Sequence, residues 1–389
     1  MERIILHCDM NNYYASVEEK SNPNLKKVPF AVCGDPEMRH SIVMAKNSLA
    51  KKAGVDTGIS YYQAKQICPE LGYIKADYQK YLKETKLARN IYLKYTDTII
   101  PYGMDESWID LTETGVTMNE ARQIADLIRL EIIYTQGLSA SVGVSDNYIF
   151  SKLGSDYKKP NATTVISRDN YKQTAWPLPA SDLLFVGKER NKKLRSAGIK
   201  TIGDIATADP KRLHKLLGKA GYDIWQYANG DDRNFHPENN EIGSVGNTIT
   251  PPDDLHNKEE VSAILYLLAN SICARLKKHS LKACCISICM KDNQFNQMIR
   301  QCSTKYPTDN INLIFNKAFA LFTMHYKWEH PLRSVGVRVG NLHSREYEQL
   351  MLFHDDDCEI SVDIDHRIKM LTSTFGNLYV EKTAMTKEW

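Results

Sequence analysis

A chain of 389 residues allows two to four domains at roughly 150 residues each and is long enough to bury large cores. Fifty lysines and arginines against 47 acids leave a formal net charge of +3, so whole-chain charge selects no partner and local clusters must carry that argument. No apolar run approaches a membrane span and no basic-then-apolar leader opens the chain. The nine cysteines, an odd number without a Cys-x-x-Cys pair, indicate neither a disulfide framework nor a zinc site and read as reduced thiols of a cytoplasmic protein.

Residues 3–9 form a short apolar strand that ends on Asp9. Asn11 and Asn12, ahead of Tyr13 to Glu19, have the Asn cap and later carboxylates of a helix start. Alone, Asp9 reads as an N-cap. It also stands where an acid at a strand end can hold a metal while helix amides face a phosphate. Residues 29–34 and 41–45 read as short strands, and 47–55 as a helix closed by Gly54, with Lys51 and Lys52 complementing its dipole. Residues 79–95 and 118–135 are amphipathic helices, the clearest face being Ala121, Ile124, Ala125, Ile128 and Ile132.

Between those helices, two strands flank a turn that carries Asp105 and Glu106. Adjacent residues of an extended chain point to opposite sides, so neighbouring acids converge only where the backbone bends. An isolated Asp-Glu reads as a solvated turn. With Asp9 on a neighbouring strand it becomes three carboxylates at strand ends, the set that two divalent ions need for in-line phosphoryl transfer. Residues 138–145 alternate as a strand of small side chains, which would leave room for a substrate, and 150–161 read as a helix ending in Lys158-Lys159-Pro160.

From Leu178 the character shifts. Phe185 to Ala206 has the form of a helix-hairpin-helix module, whose glycines permit close backbone approach and whose helix amides can take a DNA phosphate. Lys188, Arg190, Lys192, Lys193, Arg195 and Lys200 crowd this region; such a run is often a solvated face, but in a near-neutral chain it points to a polyanion. Residues 231–242 are polar and turn-rich, an expected linker. Beyond them a strand (243–250), helix (258–278), strand (282–291), helix (308–324) and strand (332–340) follow.

Asp9-Met10-Asn11-Asn12-Tyr13-Tyr14-Ala15-Ser16-Val17-Glu18, together with Met104-Asp105-Glu106-Ser107-Trp108, resembles the Y-family DNA polymerases, and within them the bacterial DinB group. The resemblance implies an α+β fold, a right hand with palm (1–20 and 77–165), small fingers (21–76), helical thumb (166–230), linker (231–242), a β-α-β-α little finger (243–345) and a tail (346–389). It implies catalytic Asp9, Asp105 and Glu106, which with the Met10 carbonyl hold two Mg²⁺. Nucleotide contacts are expected from Asn12, Tyr13, Tyr14, Ser48, Lys51 and Lys159.

Tyr14, by itself a core aromatic at helical spacing, becomes a steric gate where a ribose 2′-hydroxyl would project. The chain departs from the family at Ser48 and Lys51, usually tyrosine and arginine. Serine still donates to phosphate and lysine is a point charge, so the contact persists with altered geometry. Asn11 stands where many relatives carry an acid; an amide brings no charge to a metal and takes no ligand role.

DNA contacts are expected from Gly187, Lys188, Arg190 and Lys193 in the thumb and Arg333 and Arg338 beyond the linker, with Lys282 beside them. Gln349, Leu350, Leu352 and Phe353 resemble the peptide by which bacterial polymerases dock on the sliding clamp, a glutamine anchor with apolar plugs. The implied function is template-directed, low-fidelity translesion synthesis without proofreading, by a monomer acting on primer-template DNA and deoxynucleoside triphosphates, with no membrane partner. A nucleotide cyclase on a similar palm would not need the basic hairpin or the clamp peptide. A silent DNA-binding scaffold would keep those and lose the acids.

Overall fold

The computed structural model describes residues 3–35, 41–237 and 242–344. The chain divides into two compact units, Met1–Asn239 and Asn240–Trp389. In the first, β1 (Ile5–Met10) leads through α1 (Tyr13–Ser21) into a small three-stranded sheet. Its centre is β2 (Phe30–Cys33), with β3 (Val43–Lys46) antiparallel on one edge. After α2 (Ser48–Lys52) and α3 (Tyr61–Ile67) the chain adds β4 (Gly72–Lys75) parallel on the other edge. Ala31, Val43, Ala50, Ala64 and Leu71 give this sheet a core of its own.

The chain then builds α4 (Tyr78–Tyr92), β5 (Ile99–Pro101), β6 (Glu106–Asp110), α5 (Met118–Gln136), β7 (Ala140–Ser145), α6 (Tyr148–Tyr157) and β8 (Thr163–Ile166). The main sheet has the order β5-β6-β1-β7-β8, with β1 central and buried along its whole length. Side chains alternate across a sheet. Leu6, Cys8 and Met10 therefore join one core with Val17, Tyr81, Ala88, Ala125 and Ile128 of the α1, α4 and α5 layer, while Ile5, His7 and Asp9 turn to the opposite face. The antiparallel register carries that division outward: Asp9 lies opposite Glu106 and Ser141, and His7 opposite Trp108 and Gly143.

The α6 face of β7 is thus Ser141, Gly143 and Ser145. A Cβ on Gly143 would lie 1.8 Å from the Ser151 carbonyl oxygen and 2.5 Å from the Ser155 nitrogen. Glycine is what lets the backbone of α6 rest on the sheet, with Gly154 facing it. The small residues of this strand, expected to make room for a substrate, instead seat a helix.

Four further helices follow the short α7 (Tyr171–Thr174): α8 (Lys188–Ser196), α9 (Ile202–Thr207), α10 (Pro210–Leu217) and α11 (Lys219–Ala228). They close on Leu183, Leu194, Ile199, Ile202, Ile205, Leu213 and Ile224. The segment expected as a linker from 231 begins as part of this unit. Asp232 is buried and accepts hydrogen bonds from Arg3 Nη1 and the Tyr148 amide, each at 2.8 Å. The Phe235 ring meets Trp108 edge-on at 5.5 Å. Polar, turn-rich sequence hid these two anchors.

The second unit runs β9 (Ser244–Ile249), α12 (Lys258–Lys278), β10 (Leu281–Asp292), β11 (Gln297–Thr308), α13 (Ile311–His325) and β12 (Leu332–Ser344). Its sheet has the order β11-β10-β12-β9, antiparallel throughout. Ile286, Ile288, Val335, Val337 and Val339 pack against Ile264, Leu268, Ile272, Phe315 and Phe322 of the two helices. The β-α-β-α order expected here gains a strand: β11 pairs with β10 alone, at the sheet edge. It is exposed and polar along most of its length, so it lacks the apolar alternation that marks a half-buried strand.

Candidate active site

The acids converge where β1 ends and β6 begins. Asp9 and Glu106 are cross-strand partners, so their side chains leave the sheet on one face. Asp105 occupies the turn before β6, and its carbonyl accepts the Met10 amide at 3.0 Å. The bend is made by Gly103 at φ +96°, a conformation that costs other residues energy. Two side chains of α4 pin the turn: Thr85 Oγ1 donates to the Met104 carbonyl at 2.8 Å and Arg89 Nη2 to the Gly103 carbonyl at 3.2 Å.

Each acid has a different electrostatic setting. Asp9 is 4% exposed. Burial raises its carboxyl, the Lys159 ammonium 2.6 Å from Oδ2 pulls it back, Glu106 adds to the rise, and the result is about 7. Asp105 is raised as well, by burial first and then by Glu106. Glu106 goes the other way: burial pushes it up, but His7 and Lys152 outweigh burial and hold it at about 2. Lys152 reaches Glu106 Oε2 from α6, and His7 Nε2 lies 3.4 Å from the same oxygen. Burial also works against the Lys159 charge, yet Asp9 and Asp156 (2.8 Å) overcome it and keep the ammonium well above the usual lysine range.

The donor chemistry suits a hard divalent cation: three carboxylates, of which Asp9 is buried and Asp105 half-buried, both pushed toward the neutral form by desolvation and the neighbouring Glu106 charge. Among the described residues, though, no three ligating side chains stand in ready-made metal geometry. Asp9 is turned to Lys159, and Glu106 to Lys152 and His7. The lysine ammoniums supply the countercharge, and ligation requires those side chains to turn.

Tyr14 lies beside this cluster. Its ring stacks on Tyr81 with centroids 4.5 Å apart, and its hydroxyl donates to Met104 Sδ at 3.6 Å. Burial, then the neighbouring Asp105, raises its phenol to about 12. Tyr13 is different. It is 3% exposed, and its hydroxyl is committed to the Tyr81 carbonyl and Thr85 Oγ1. Its side chain is core, which leaves only its backbone for a nucleotide. Asn12 holds the helix N-cap position with φ 46°, and its side chain makes no cap bond; the capping expected from its identity is absent. Ser48 and Lys51 lie exposed on α2, three residues apart and hence on one side of that turn.

The chain matches two family models, the impB/mucB/samB family over residues 8–156 and the impB/mucB/samB family C-terminal domain over residues 243–352. It is 40% identical to DNA polymerase IV of Acetivibrio thermocellus, over 100% of this chain and 98% of that protein. It is 32% identical to DNA polymerase IV 1 of Bacillus subtilis, over 99% of this chain and 94% of that one. The chain belongs to this family of DinB-like, Y-family DNA polymerases. A solved Y-family DNA polymerase chimera has the same fold, with a TM-score of 0.77 at 22% identity over 88% of this chain and 99% of that chain. The five-stranded sheet, the three-stranded sheet, α8 to α11 and the second unit are consistent with the palm, fingers, thumb and little finger of that architecture, and take those names.

In the thumb, α8 starts at Gly187 with no side-chain cap, so its first amides have no side-chain acceptor there. Lys188 and Lys193 are exposed. Arg190 is not available in the same way, since its Nη1 donates to the Phe185 carbonyl at 2.7 Å and braces the turn before the helix. A cleft of about 410 Å³ runs from Tyr102, Lys152 and Asp156 beside the acids to Phe185 and Gly187. In the little finger, Arg338 stands on the helix-free face of the sheet across from Ser287 and Gly246, its Nε donating to Ser244 Oγ at 2.9 Å. Arg333 does not join it. It sits at a bulge where Lys291 and Asp292 pair with Ser334 and Leu332, and its guanidinium lies over the Phe295 ring at 4.8 Å.

Gln349, Leu350, Leu352 and Phe353 lie outside the described residues. Two residues next to the acids were passed over in sequence, His7 and Lys152. Period-two alternation was the available signal for His7, which shares a strand face with Asp9. For Lys152 there was none, since its reach depends on how α6 docks.

Proposed function

We propose that this polymerase performs template-directed translesion synthesis at low fidelity, with two Mg²⁺ and without proofreading. The carrying observation is the register that sets Asp9 against Glu106, with Asp105 at the turn beside them. Asp9, Asp105, Glu106 and the Met10 carbonyl would hold the ions, which supply charge neutralisation and in-line alignment of the primer hydroxyl and the triphosphate.

The chain's own side chains do the rest. Lys159, 2.6 Å from Asp9, exchanges a carboxylate for triphosphate oxygens when the nucleotide enters. Ser48 and Lys51 take the outer phosphates. Tyr14 fills the space a 2′-hydroxyl would need. Lys152 and His7 hold Glu106 ionised against its burial. The α8 amides with Lys188 and Lys193, and the little-finger face around Arg338, follow DNA phosphates without reading sequence. Gln349, Leu350, Leu352 and Phe353 dock the enzyme on the sliding clamp.

The family match in both halves of the chain favours this reading over the cyclase and the silent scaffold. Primer extension on paired templates, one undamaged and one with an abasic site, tests the translesion part. Extension past the lesion is the expected result. A complete stop at the lesion on a template otherwise copied would contradict it.

A further inference from the structure

The reading of Lys159 as a nucleotide-binding residue leaves open what aims it. Residues 158–161 follow α6, belong to no helix or strand, and are exposed. Asn161 lies in the left-handed region at φ 52°, a conformation that asparagine adopts more readily than other non-glycine residues. Two side chains hold it. From the sheet side, Asn11 Oδ1 accepts the Asn161 amide at 2.9 Å. From α5, Arg129 donates to Asn161 Oδ1 through Nε at 3.2 Å and Nη2 at 2.9 Å, and is itself tied to Asp126 and Thr163.

Asn11 is 7% exposed and uses both ends of its amide. Nδ2 donates to Ser141 Oγ at 3.0 Å, and Oδ1 also accepts from Ser139 Oγ at 3.2 Å, while the Asn11 backbone amide donates to the Ser139 carbonyl at 2.8 Å. A residue directly following β1 is therefore locked to β7 and, through the same oxygen, to the segment that carries Lys159.

We propose that Asn11 is a positioning residue that fixes the Lys159-Pro160-Asn161 segment to the palm and so aims the Lys159 ammonium at the incoming nucleotide. The proposal rests on the nucleotide role of Lys159. Lys159 has four rotatable side-chain bonds, and its ion pairs with Asp9 and Asp156 constrain only the tip; the Asn11 bond constrains the backbone two residues on. An acid at this position would keep the acceptor for the Asn161 amide, with both serine hydroxyls rotating to donate. An alanine would not.

The test is equilibrium binding of the templated deoxynucleoside triphosphate to the full chain on a dideoxy-terminated primer-template, read by fluorescence of a reporter base, so that no turnover is involved. Lys159→Ala should weaken binding about tenfold, the scale of one charge-assisted contact. Asn11→Ala should weaken it about fivefold, and Asn11→Asp should stay within about twofold of wild type. In the Lys159→Ala background, Asn11→Ala should add less than about twofold, since residues acting through one group are not additive.

Equal Asn11→Ala effects with and without Lys159, no effect at all, or an Asn11→Asp loss as large as that of alanine would overturn the proposal. Unchanged binding by Lys159→Ala would overturn the reading of Lys159 itself, and the proposal with it. Should Asn11→Ala not fold, Arg129→Ala removes the outer hold on Asn161 and carries the same comparison: weakening that vanishes without Lys159 supports the proposal, and unchanged binding overturns it.

Discussion

Asp9 and Glu106 are neighbours across one strand pair, yet their carboxyls are displaced in opposite directions, to about 7 and about 2. The cause is which partners the fold supplies. Asp9 is buried most deeply of the three and has Lys159 to set against that, whereas Glu106 has both Lys152 and His7. His7 shares the buried face of β1 with Asp9, and burial lowers its own imidazole to about 4. Residue types alone left Asp9 an N-cap and Asp105-Glu106 a solvated turn, and it was the family resemblance that joined the three as one expected site. Residue types could not reveal the paired lysines' aim, which is set by the seating of α6 and the segment after it. Nor could they separate the two tyrosines: the Tyr13 hydroxyl is committed to the Tyr81 carbonyl and Thr85 Oγ1, whereas the Tyr14 ring stacks on Tyr81 beside Asp105. Replacement of Tyr14 by alanine is expected to raise ribonucleotide incorporation tenfold or more, on the order of 1.4 kcal/mol of lost discrimination. Single-nucleotide incorporation with matched ribo- and deoxyribonucleotides measures it; unchanged sugar selection would contradict the gate.

At the scale of elements, the position of the lysines depends on the closeness of α6 to the palm sheet. Gly143→Ala would drive a methyl group into the Ser151 carbonyl, 1.8 Å from the ideal Cβ, which is backbone and cannot rotate away. The variant should lose about 3 kcal/mol or more of stability, measured by denaturant unfolding, and its extension rate should fall further than its folded fraction explains, since Lys152 and Lys159 move with the helix. An alanine tolerated within about 0.5 kcal/mol would contradict the account of this contact.

Helices were the more legible elements, because α5 and α12 carry apolar residues at three- and four-residue spacing over long spans. The edge strand β11 was illegible, having no buried face to write a pattern. The small residues of β7 were seen correctly as small and assigned the wrong neighbour, since a strand's sequence does not say whether a helix or a ligand will approach it.

For the whole molecule, the two units are packed separately, the first on the cores of the palm sheet, the three-stranded sheet and the α8 to α11 helices, the second on β9 to β12 with α12 and α13. The division near residue 240 was legible in the polar run around it. The anchoring of Asp232 and Phe235 was not, because both are single contacts inside an otherwise loop-like stretch. Alanine at Gln349, Leu350, Leu352 and Phe353 should abolish clamp-stimulated synthesis while sparing distributive synthesis, measured by extension with and without the bacterial clamp. Equal loss of both would count against docking.

The central claim is that the acids at the β1–β6 junction carry the chemistry. Primer extension with Mg²⁺ by wild type and by the Asp105→Ala, Glu106→Ala double variant, alongside primer-template binding for both, is the direct test. Wild type should extend the primer, and the double variant should bind DNA with similar affinity while extension falls by about three orders of magnitude or more. A wild type that extends nothing, or a double variant that extends at a comparable rate, would contradict the account.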